Sequence, residues 1–236
     1  MKSNRKALNI TVCYILVIAL FLIGTALGSR TVTVISENQP LEREHTIIID
    51  AGHGGEDGGT TSCTGKLESA YNLEIALRLE DLCHLLGYDT VMIRRTDTSI
   101  YTKGETIAQK KISDLKERVR IANSTENAVL VSIHQNFFPE SQYSGAQVFY
   151  GGSDGSEDLA KLLQGQLIAS LNPESRRQVK RGAGIYLLDK IVCPGALIEC
   201  GFLSNPEEES LLNCPEYQKK LVCVIASSVG SYLADA

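Results

Sequence analysis

The order of apolar and polar positions divides the chain after residue 45 into short strands and longer helices. Short runs rich in β-branched residues predict strands, because these side chains fit a pleated surface. The runs are Thr46 to Asp50, Thr90 to Ile93, Ala128 to Ile133, Ala146 to Tyr150, Gly184 to Leu188 and Gly195 to Glu199. Strands that alternate with helices predict an α/β fold: a single domain with a largely parallel, twisted sheet and helices on both faces.

Between these strands, apolar residues recur three or four positions apart, which indicates helices. The predicted helices run from Glu68 to Leu86, from Ile107 to Ala122, from Leu159 to Leu171 and from Glu216 to Leu233. One more helix is predicted to begin after Asn205, because Asn205 can cap the N-terminus of the helix and Pro206 suits its first turn. The three acidic residues that follow face the positive end of its dipole.

The first 44 residues follow a different pattern. Met1 to Lys6 is basic and Ile10 to Leu27 is almost wholly apolar. This predicts either a cleaved signal peptide or an uncleaved transmembrane anchor over residues 1–29. Residues 30–44 are polar and aperiodic, so we interpret them as a linker. In either case the basic end stays in the cytoplasm, and the domain over residues 45–236 is exported.

Composition narrows the class of protein further. The chain has 236 residues, 43% of them hydrophobic, which is enough to bury a core without disulfides. Its net charge of −5 gives no basic face for nucleic acid, so we expect no nucleic-acid partner. The seven cysteines are an odd number without a CxxC pair. They indicate neither a zinc ribbon nor a redox motif, and their pairing stays open.

Three of the predicted strands lead to side chains that bind metals or move protons. The first strand leads to His53, the third to His134, and the sixth ends at Glu199. The carboxyl ends of parallel strands lie along one edge of a sheet, where ligands bind. We therefore expect two imidazoles and a carboxylate to meet there. A fourth group, Glu68, lies at the predicted start of the first helix and can reach the same edge.

Two histidines and one carboxylate, with a position left for water, are the ligands of many catalytic zinc sites. Zinc lowers the pKa of the bound water to about 7, and a second carboxylate can pass a proton from that water to a leaving amine. The residue types therefore indicate metal-assisted amide hydrolysis. From the pattern alone, His53 as a simple turn residue and His134 as a core histidine remain alternatives.

Four separated blocks resemble the signature blocks of the zinc-dependent N-acetylmuramoyl-L-alanine amidases of the amidase-3 family. In the family's order they are Ile49 to Gly59, Leu67-Glu68 with Asn72-Leu73, Ser132 to Asn136, and Leu197 to Pro206. The chain is also similar to the membrane-anchored, germination-specific amidases that help to make muramic-δ-lactam in spore cortex. The segments that carry this similarity are Asp114-Leu115 with Arg118-Val119, Ser144 to Gln147, Lys180-Arg181 with Gly184 to Leu187, and Pro194 to Glu199.

The resemblance implies that zinc (Zn²⁺) is bound by His53, Glu68 and His134, and that Glu199 is the catalytic carboxylate. The implied substrate is peptidoglycan, cut at the amide between the lactyl group of N-acetylmuramic acid and the L-alanine of the stem peptide. The implied location is outside the cytoplasmic membrane, in the spore envelope, with the membrane contacted through the N-terminal segment. Whether an activator protein takes part stays open.

Alternatives remain for single residues near the expected site. Glu56 and Glu74 compete with Glu68 as the carboxylate ligand. Cys200 is disfavoured as a nucleophile, because neighbours on a strand point to opposite faces, and the same alternation turns Gln135 away from His134.

Asp50 and Asn136 either orient the ligands or have structural turn roles. We interpret Asp57 and the loop glycines as shaping the loop.

Two further functions remain open at this stage. A zinc peptidase that cuts within the stem peptide would use the same metal chemistry, and a wall-binding protein with a silent site would use none. The basic run from Arg176 to Arg181 is interpreted as a solvated face, with a contact to stem-peptide carboxylates as the alternative.

Overall fold

Six strands form one sheet in the computed structural model, which describes residues 45–235. The strands are β1 (Thr46–Ala51), β2 (Asp89–Met92), β3 (Ala128–Asn136), β4 (Gln147–Tyr150), β5 (Lys180–Arg181) and β6 (Gly195–Phe202). The helices are α1 (Glu68–Leu85), α2 (Ile107–Ser124), α3 (Ser156–Leu171), α4 (Tyr186–Lys190), α5 (Pro206–Asn213) and α6 (Pro215–Asp235).

The strand order in the sheet is β2-β1-β3-β6-β4-β5. The four adjacent strands β2, β1, β3 and β6 run parallel to one another, whereas β4 runs antiparallel to β6. The sheet is therefore mixed but mostly parallel, and the α/β prediction is confirmed. Because β1, β3 and β6 are parallel neighbours, their carboxyl ends lie side by side, as the sequence predicted.

Both faces of the sheet are covered by helices, which explains the continuous apolar run of β1. Ile47 and Ile49 are buried in a cluster with side chains of α1, α3 and α6. Ile48 points the other way and is buried with side chains of α2 and α4. In a strand that is buried on both faces, apolar residues do not alternate with polar ones. The sequence of β1 is therefore a continuous run of apolar, β-branched residues.

Two helices begin where the sequence predicted. Asn205 caps α5, its side chain accepting from the backbone N–H groups of Glu207 and Glu208. Thr106 caps α2 in a reciprocal capping box with Gln109. Both caps satisfy backbone N–H groups in the first turn of a helix, which have no partner within the helix itself.

The predicted strand from Gly184 to Leu188 is wrong. These residues form a turn, with Gly184 at a φ of +85°, followed by the short helix α4. The fifth strand lies earlier, at Lys180 and Arg181. Leu187 and Leu188 are adjacent and both buried. A short apolar run fits a buried strand and a buried helical turn equally well, so periodicity could not separate them.

The predicted signal peptide or anchor (residues 1–29) and the predicted linker (residues 30–44) lie outside the described residues. Among residues 45–235, no helix combines the length and the apolar character needed to cross a membrane. The six cysteines in this range are all free.

Candidate active site

The carboxyl edge of the sheet brings four side chains predicted from the sequence into one place. His134 on β3 pairs in register with Glu199 on β6, and His53 follows β1. Glu68, the first residue of α1, reaches over the edge so that its Oε1 lies 2.9 Å from Nδ1 of His134 and 3.3 Å from Nε2 of His53. One ligand atom from each of His53, Glu68 and His134 lies within 4.8 Å of the others.

Two glycines leave the space that this cluster occupies. A Cβ atom at Gly52 would lie 2.2 Å from Nε2 of His134, and one at Gly59 would lie 2.5 Å from Oε2 of Glu68. His53 itself has a φ of +60°, a conformation that few non-glycine residues adopt. The loop is therefore shaped so that both rings and the carboxylate meet.

Two buried arginines hold the backbone of this loop. Arg94 donates to the carbonyl oxygens of Ala51 (2.8 Å) and Gly52 (2.9 Å). Arg118 donates to the carbonyl oxygen of His53 at 2.8 Å. Arginine suits this role because its planar fork donates several hydrogen bonds at once. Sequence reasoning did not assign either arginine to the site.

Asp50 has structural contacts. It forms a buried ion pair with Arg118 and accepts from Ser132 Oγ at 2.6 Å. Burial alone would raise the pKa of Asp50, but Arg118 and Ser132 together hold it below its ordinary value. Asn136 contributes its carbonyl oxygen, which accepts from the N–H of Leu203 at 2.8 Å. Neither Asp50 nor Asn136 contributes one of the three candidate ligand atoms.

Glu68 is buried and well supplied with hydrogen bonds. Its Oε2 accepts from the N–H of Thr60 at 3.0 Å, and its Oε1 accepts from Asn72 Nδ2 at 3.2 Å and from the N–H of Gln135 at 3.3 Å. Burial alone would raise the pKa of Glu68, but the hydrogen bond with His134 and the nearby ring of His53 hold it well below its usual range. The carboxylate is therefore ionised, as a metal ligand must be.

The two competing glutamates lie elsewhere. Glu56 pairs with Lys110, and its side chain is half exposed. Glu74 pairs with Lys66 on the surface, one helical turn and a half beyond Glu68. Neither carboxylate belongs to the cluster, so Glu68 is the acidic member.

Asp57, which the sequence indicated only as a residue that shapes the loop, contacts His53. Its Oδ2 lies 3.0 Å from Nδ1 of His53 and 3.1 Å from Nζ of Lys111. Burial lowers the pKa of His53, but the neighbouring carboxylates of Asp57 and Glu68 outweigh it and raise the pKa to about 9. A carboxylate on one ring nitrogen orients the other nitrogen toward the cluster. The only signal in the sequence was the four-residue spacing inside a glycine loop.

Glu199 stands apart from this hydrogen-bonded set. Its Oε2 is buried and has no hydrogen-bond partner among the described residues. Burial raises the pKa of Glu199 to about 7. A carboxyl group that both gains and loses a proton near neutral pH is suited to general acid–base catalysis.

The two residues that strand alternation turned away from the site lie on the opposite face, as predicted. Gln135 Nε2 donates to Asn72 Oδ1 on α1 at 3.2 Å. Cys200 is buried in the cluster under α1, α3 and α6, where burial raises the pKa of its thiol. A thiol in this environment stays protonated, which argues against a nucleophilic role.

Glu209 on α5 anchors the segment that precedes Glu68. Its Oε1 accepts from Thr64 Oγ1 at 2.5 Å and from Asn213 Nδ2 at 2.8 Å, and it also bonds the hydroxyl of Tyr71 on α1. The acidic residues of α5 therefore do more than face the helix dipole, because one of them ties the loop before the candidate ligand to the helix that follows β6.

A cleft of about 110 Å³ opens beside the cluster, between α2 and α4. Apolar side chains of Leu115, Ile185 and Leu187 line its walls, and Lys111 lies among its lining residues. The mispredicted segment at 184–188 thus forms one wall of the site.

The chemistry of the three donor side chains fits a metal ion. Two imidazole nitrogens and one ionised carboxylate match the ligands of catalytic zinc, with space left for a reacting group. The unpartnered Oε2 of Glu199 beside them supplies a proton acceptor that is not itself bonded to the cluster.

The chain belongs to the N-acetylmuramoyl-L-alanine amidase family Amidase_3, whose model matches residues 47–231. It is 40% identical to the germination-specific N-acetylmuramoyl-L-alanine amidase of Bacillus subtilis (strain 168). The alignment spans 192 residues, which is 80% of each chain. The family resemblance inferred from the four sequence blocks is confirmed.

Solved structures agree with this assignment. The fold is similar to that of the CwlD amidase from Clostridioides difficile, solved in complex with the GerS lipoprotein: the TM-score is 0.77 and the identity 38%, over 81% of this chain and 99% of that one. It is also similar to an N-acetylmuramoyl-L-alanine amidase from Clostridium difficile 630, with a TM-score of 0.71 and 32% identity over 81% and 98% of the two chains. The protein is an enzyme of this amidase class, and its substrate is peptidoglycan.

Proposed function

We propose that this protein is a zinc enzyme that hydrolyses the amide between the lactyl group of N-acetylmuramic acid and L-alanine of the stem peptide. In this proposal residues 45–236 are the catalytic domain, the zinc ligands are His53, Glu68 and His134, and Glu199 moves the proton. The observation that carries it is the buried, unpartnered Oε2 of Glu199 beside a cluster of three ligand atoms.

Zinc bound by these three residues would polarise the lactyl carbonyl and lower the pKa of a water molecule. Glu199 accepts a proton from the attacking water at its carboxylate and delivers it to the amide nitrogen as the C–N bond breaks. The products are a lactyl carboxyl group and a stem peptide with a new L-alanine amino terminus. Asp57 keeps His53 oriented throughout, and Thr60 and Asn72 keep Glu68 ionised and in place.

We further propose that the substrate is spore cortex. The similar amidase of Bacillus subtilis is described as germination-specific. The lactyl carboxyl freed by this reaction is the group from which a muramic-δ-lactam ring is closed. This setting places the enzyme outside the cytoplasmic membrane, delivered or held there by residues 1–29.

A protein activator is part of the proposal as well. The similar amidase of Clostridioides difficile was solved with the GerS lipoprotein. Because association with a protein can complete a site that is otherwise weak for its metal, we propose that this chain also works with a lipoprotein partner.

Product analysis of digested muropeptides tests the activity. The zinc-loaded protein should release material with a free lactyl carboxyl and peptides with an L-alanine amino terminus, and a Glu199→Ala variant should release neither. Cuts within the stem peptide would identify a peptidase instead. Metal analysis of the same samples, with and without a candidate partner, shows whether zinc is retained.

A further inference from the structure

The loop between β3 and β4 presents three exposed aromatic rings. Phe137, Phe138 and Tyr143 are 46%, 44% and 40% exposed. The rings of Phe138 and Tyr143 meet edge to face with centroids 4.9 Å apart, and Phe202 lies 6.3 Å behind Tyr143. We call Phe137, Phe138 and Tyr143 the aromatic ledge. Contiguous exposed apolar surface of this kind marks an interaction site.

The aromatic ledge is held in place by its backbone. Four hydrogen bonds fasten the loop to the elements around β6. They run from Phe138 N to Ser204 Oγ (3.2 Å), Asn205 Nδ2 to Tyr143 O (3.2 Å), Arg177 Nε to Ser144 O (2.9 Å) and Gly145 N to Glu208 Oε1 (2.7 Å). A surface that is already ordered loses little conformational entropy when a ligand binds, so the rings are presented for binding.

The aromatic ledge lies next to the candidate catalytic groups. Phe137 follows His134 by three residues, and Phe202 follows Glu199 by three residues on the neighbouring strand. At a rise of about 3.3 Å per residue, the ledge begins roughly 10 Å from the ligand on β3. A substrate that reaches from the cluster along the carboxyl ends of β3 and β6 meets these rings.

A shallow cavity of about 390 Å³ continues from the aromatic ledge at Tyr143. Hydrogen-bonding side chains line it: Gln142, Ser144, Asn172, Glu174, Ser175, Arg176 and Arg177. Amide, hydroxyl and guanidinium groups beside an aromatic face suit a ligand with many hydroxyl and acetamido groups and a hydrophobic ring face.

The other approach to the cluster has a different character. The cleft between α2 and α4 has aliphatic walls, no phenylalanine or tyrosine among its lining residues, and charged groups of both signs. The charged groups are Asp50, Asp57, Asp114, Lys111 and Arg118, and Lys111 is paired with Asp57. Aliphatic walls with charges of both signs suit a short peptide that carries carboxylate and amino groups.

The scissile amide joins a sugar on one side to a peptide on the other, so the two halves of the substrate leave the site in different directions. We propose that the aromatic ledge and its adjoining cavity bind the glycan strand, at the sugars next to the cleaved N-acetylmuramic acid, while the cleft at Lys111 receives the stem peptide. Aromatic faces carry negative charge density that attracts the C–H groups on a sugar face. This assignment of directions rests on the proposed amidase reaction.

Binding to peptide-free glycan strands tests the proposal apart from catalysis. The protein used is the zinc-loaded full chain with Glu199→Ala, so that nothing is cut. Adding Phe138→Ala and Tyr143→Ala should weaken binding to the strands by about tenfold or more, the size expected when aromatic anchors are truncated. Tyr143→Phe keeps the ring and should bind as the parent does.

Leu85→Ala is the matched control. Leu85 is another exposed apolar residue, 83% exposed, at the far end of the 18-residue helix that begins with Glu68. That end lies about 27 Å along the helix from the site, so its truncation should leave glycan binding unchanged. Circular dichroism of every variant verifies that the fold is kept.

Kinetics with the active protein gives a second readout. Cleavage of long glycan chains should slow by about tenfold in kcat/KM in the double variant, whereas cleavage of a single N-acetylmuramoyl-peptide should change much less. Equal glycan binding by parent and double variant would overturn the inference. Loss of binding to a protein partner, with glycan binding intact, would overturn it too and identify a protein-docking surface.

The two proposals fail separately. A wild-type protein that releases no L-alanine amino termini contradicts the amidase reaction. A wild-type protein that releases them, but whose ledge variants keep their preference for long glycan chains, contradicts only the assignment of the aromatic ledge.

Discussion

Two buried glutamates at the same sheet edge have opposite surroundings. Glu68, at the start of α1, accepts hydrogen bonds from two backbone N–H groups and from Asn72. Glu199, near the end of β6, has an Oε2 without any partner in residues 45–235. The pKa of the first is held well below its ordinary value, while burial raises that of the second to about 7.

The difference shows that the environment, more than the residue type, decides what a carboxyl group can do. A carboxylate whose charge is stabilised from several sides stays ionised and suits a metal. One that is buried without partners holds a proton more readily and suits proton transfer. Each prediction below alters one side of this contrast.

The largest effect on metal affinity should follow removal of Glu68, the carboxylate that stays ionised. Glu68→Ala removes a ligand, so we expect metal affinity to fall by more than about 100-fold, beyond the loss usual for a residue that only supports a ligand. Activity should disappear with the metal. Metal titration of the purified variant measures this, and full metal retention would contradict the role given to Glu68.

Removing the other carboxylate should separate activity from metal binding. Glu199→Gln keeps the shape of the side chain but cannot accept the proton, so activity should fall roughly 10²- to 10⁴-fold. Metal content should match the wild type. If the variant loses its metal as well, Glu199 and Glu68 have overlapping roles and the contrast is broken.

The same variant should be more stable than the wild type at alkaline pH. In the metal-free protein the folded pKa of Glu199 is about 7, above its ordinary value, so the native state retains this proton longer than the unfolded chain does. Stability therefore falls as pH rises from the ordinary value to about 7. Glutamine cannot ionise and avoids the loss, which is on the order of 1–3 kcal/mol.

Urea unfolding at two pH values measures this stability difference. The gap between Glu199→Gln and the wild type should be present at pH 8 and shrink below pH 5. A gap that stays constant with pH would mean that shape, and not charge, separates the two proteins.

The smallest effect on metal affinity should follow the loss of a hydrogen bond that holds Glu68 in place. Asn72→Ala removes one hydrogen bond to the carboxylate, so metal affinity should fall by about tenfold while the fold is kept. Glu74→Gln is the matched control on the same helix. It breaks a surface pair with Lys66, whose contribution to stability is below about 1 kcal/mol. The side-chain carbonyl oxygen of the glutamine can still accept the hydrogen bond that Gln218 Nε2 donates to Glu74. Isothermal titration with zinc distinguishes the two variants.

Much of the fold was predictable because its signals are local. The branched runs of β1, β3 and β6 and the Asn205 cap of α5 depend on neighbouring residues in the sequence. The meeting of His53, His134 and Glu199 followed from the rule that parallel strands end at a common edge. The resemblance to a known family added Glu68, which periodicity alone could place only near that edge.

Other features depend on the path of the chain in space. Residues 184–188 form a wall of the cleft, but as a turn and helix rather than a strand, because a short apolar run does not distinguish the two. Asp57 meets His53 only because the loop passes through a left-handed conformation at His53 itself. Arg94 and Arg118 serve backbone carbonyls, which leave no mark in a sequence.

The parallel pairing of β1, β3 and β6 also sets the timing of assembly. β1 pairs Thr46 with Ala128, and β3 pairs Leu130 with Gly195, so both pairings close long stretches of chain. Contacts between distant residues form slowly, and the three ligand atoms cannot meet until the first of these pairings is made. The candidate ligands are therefore not assembled in the unfolded chain, and this arrangement slows folding more than it lowers the final stability.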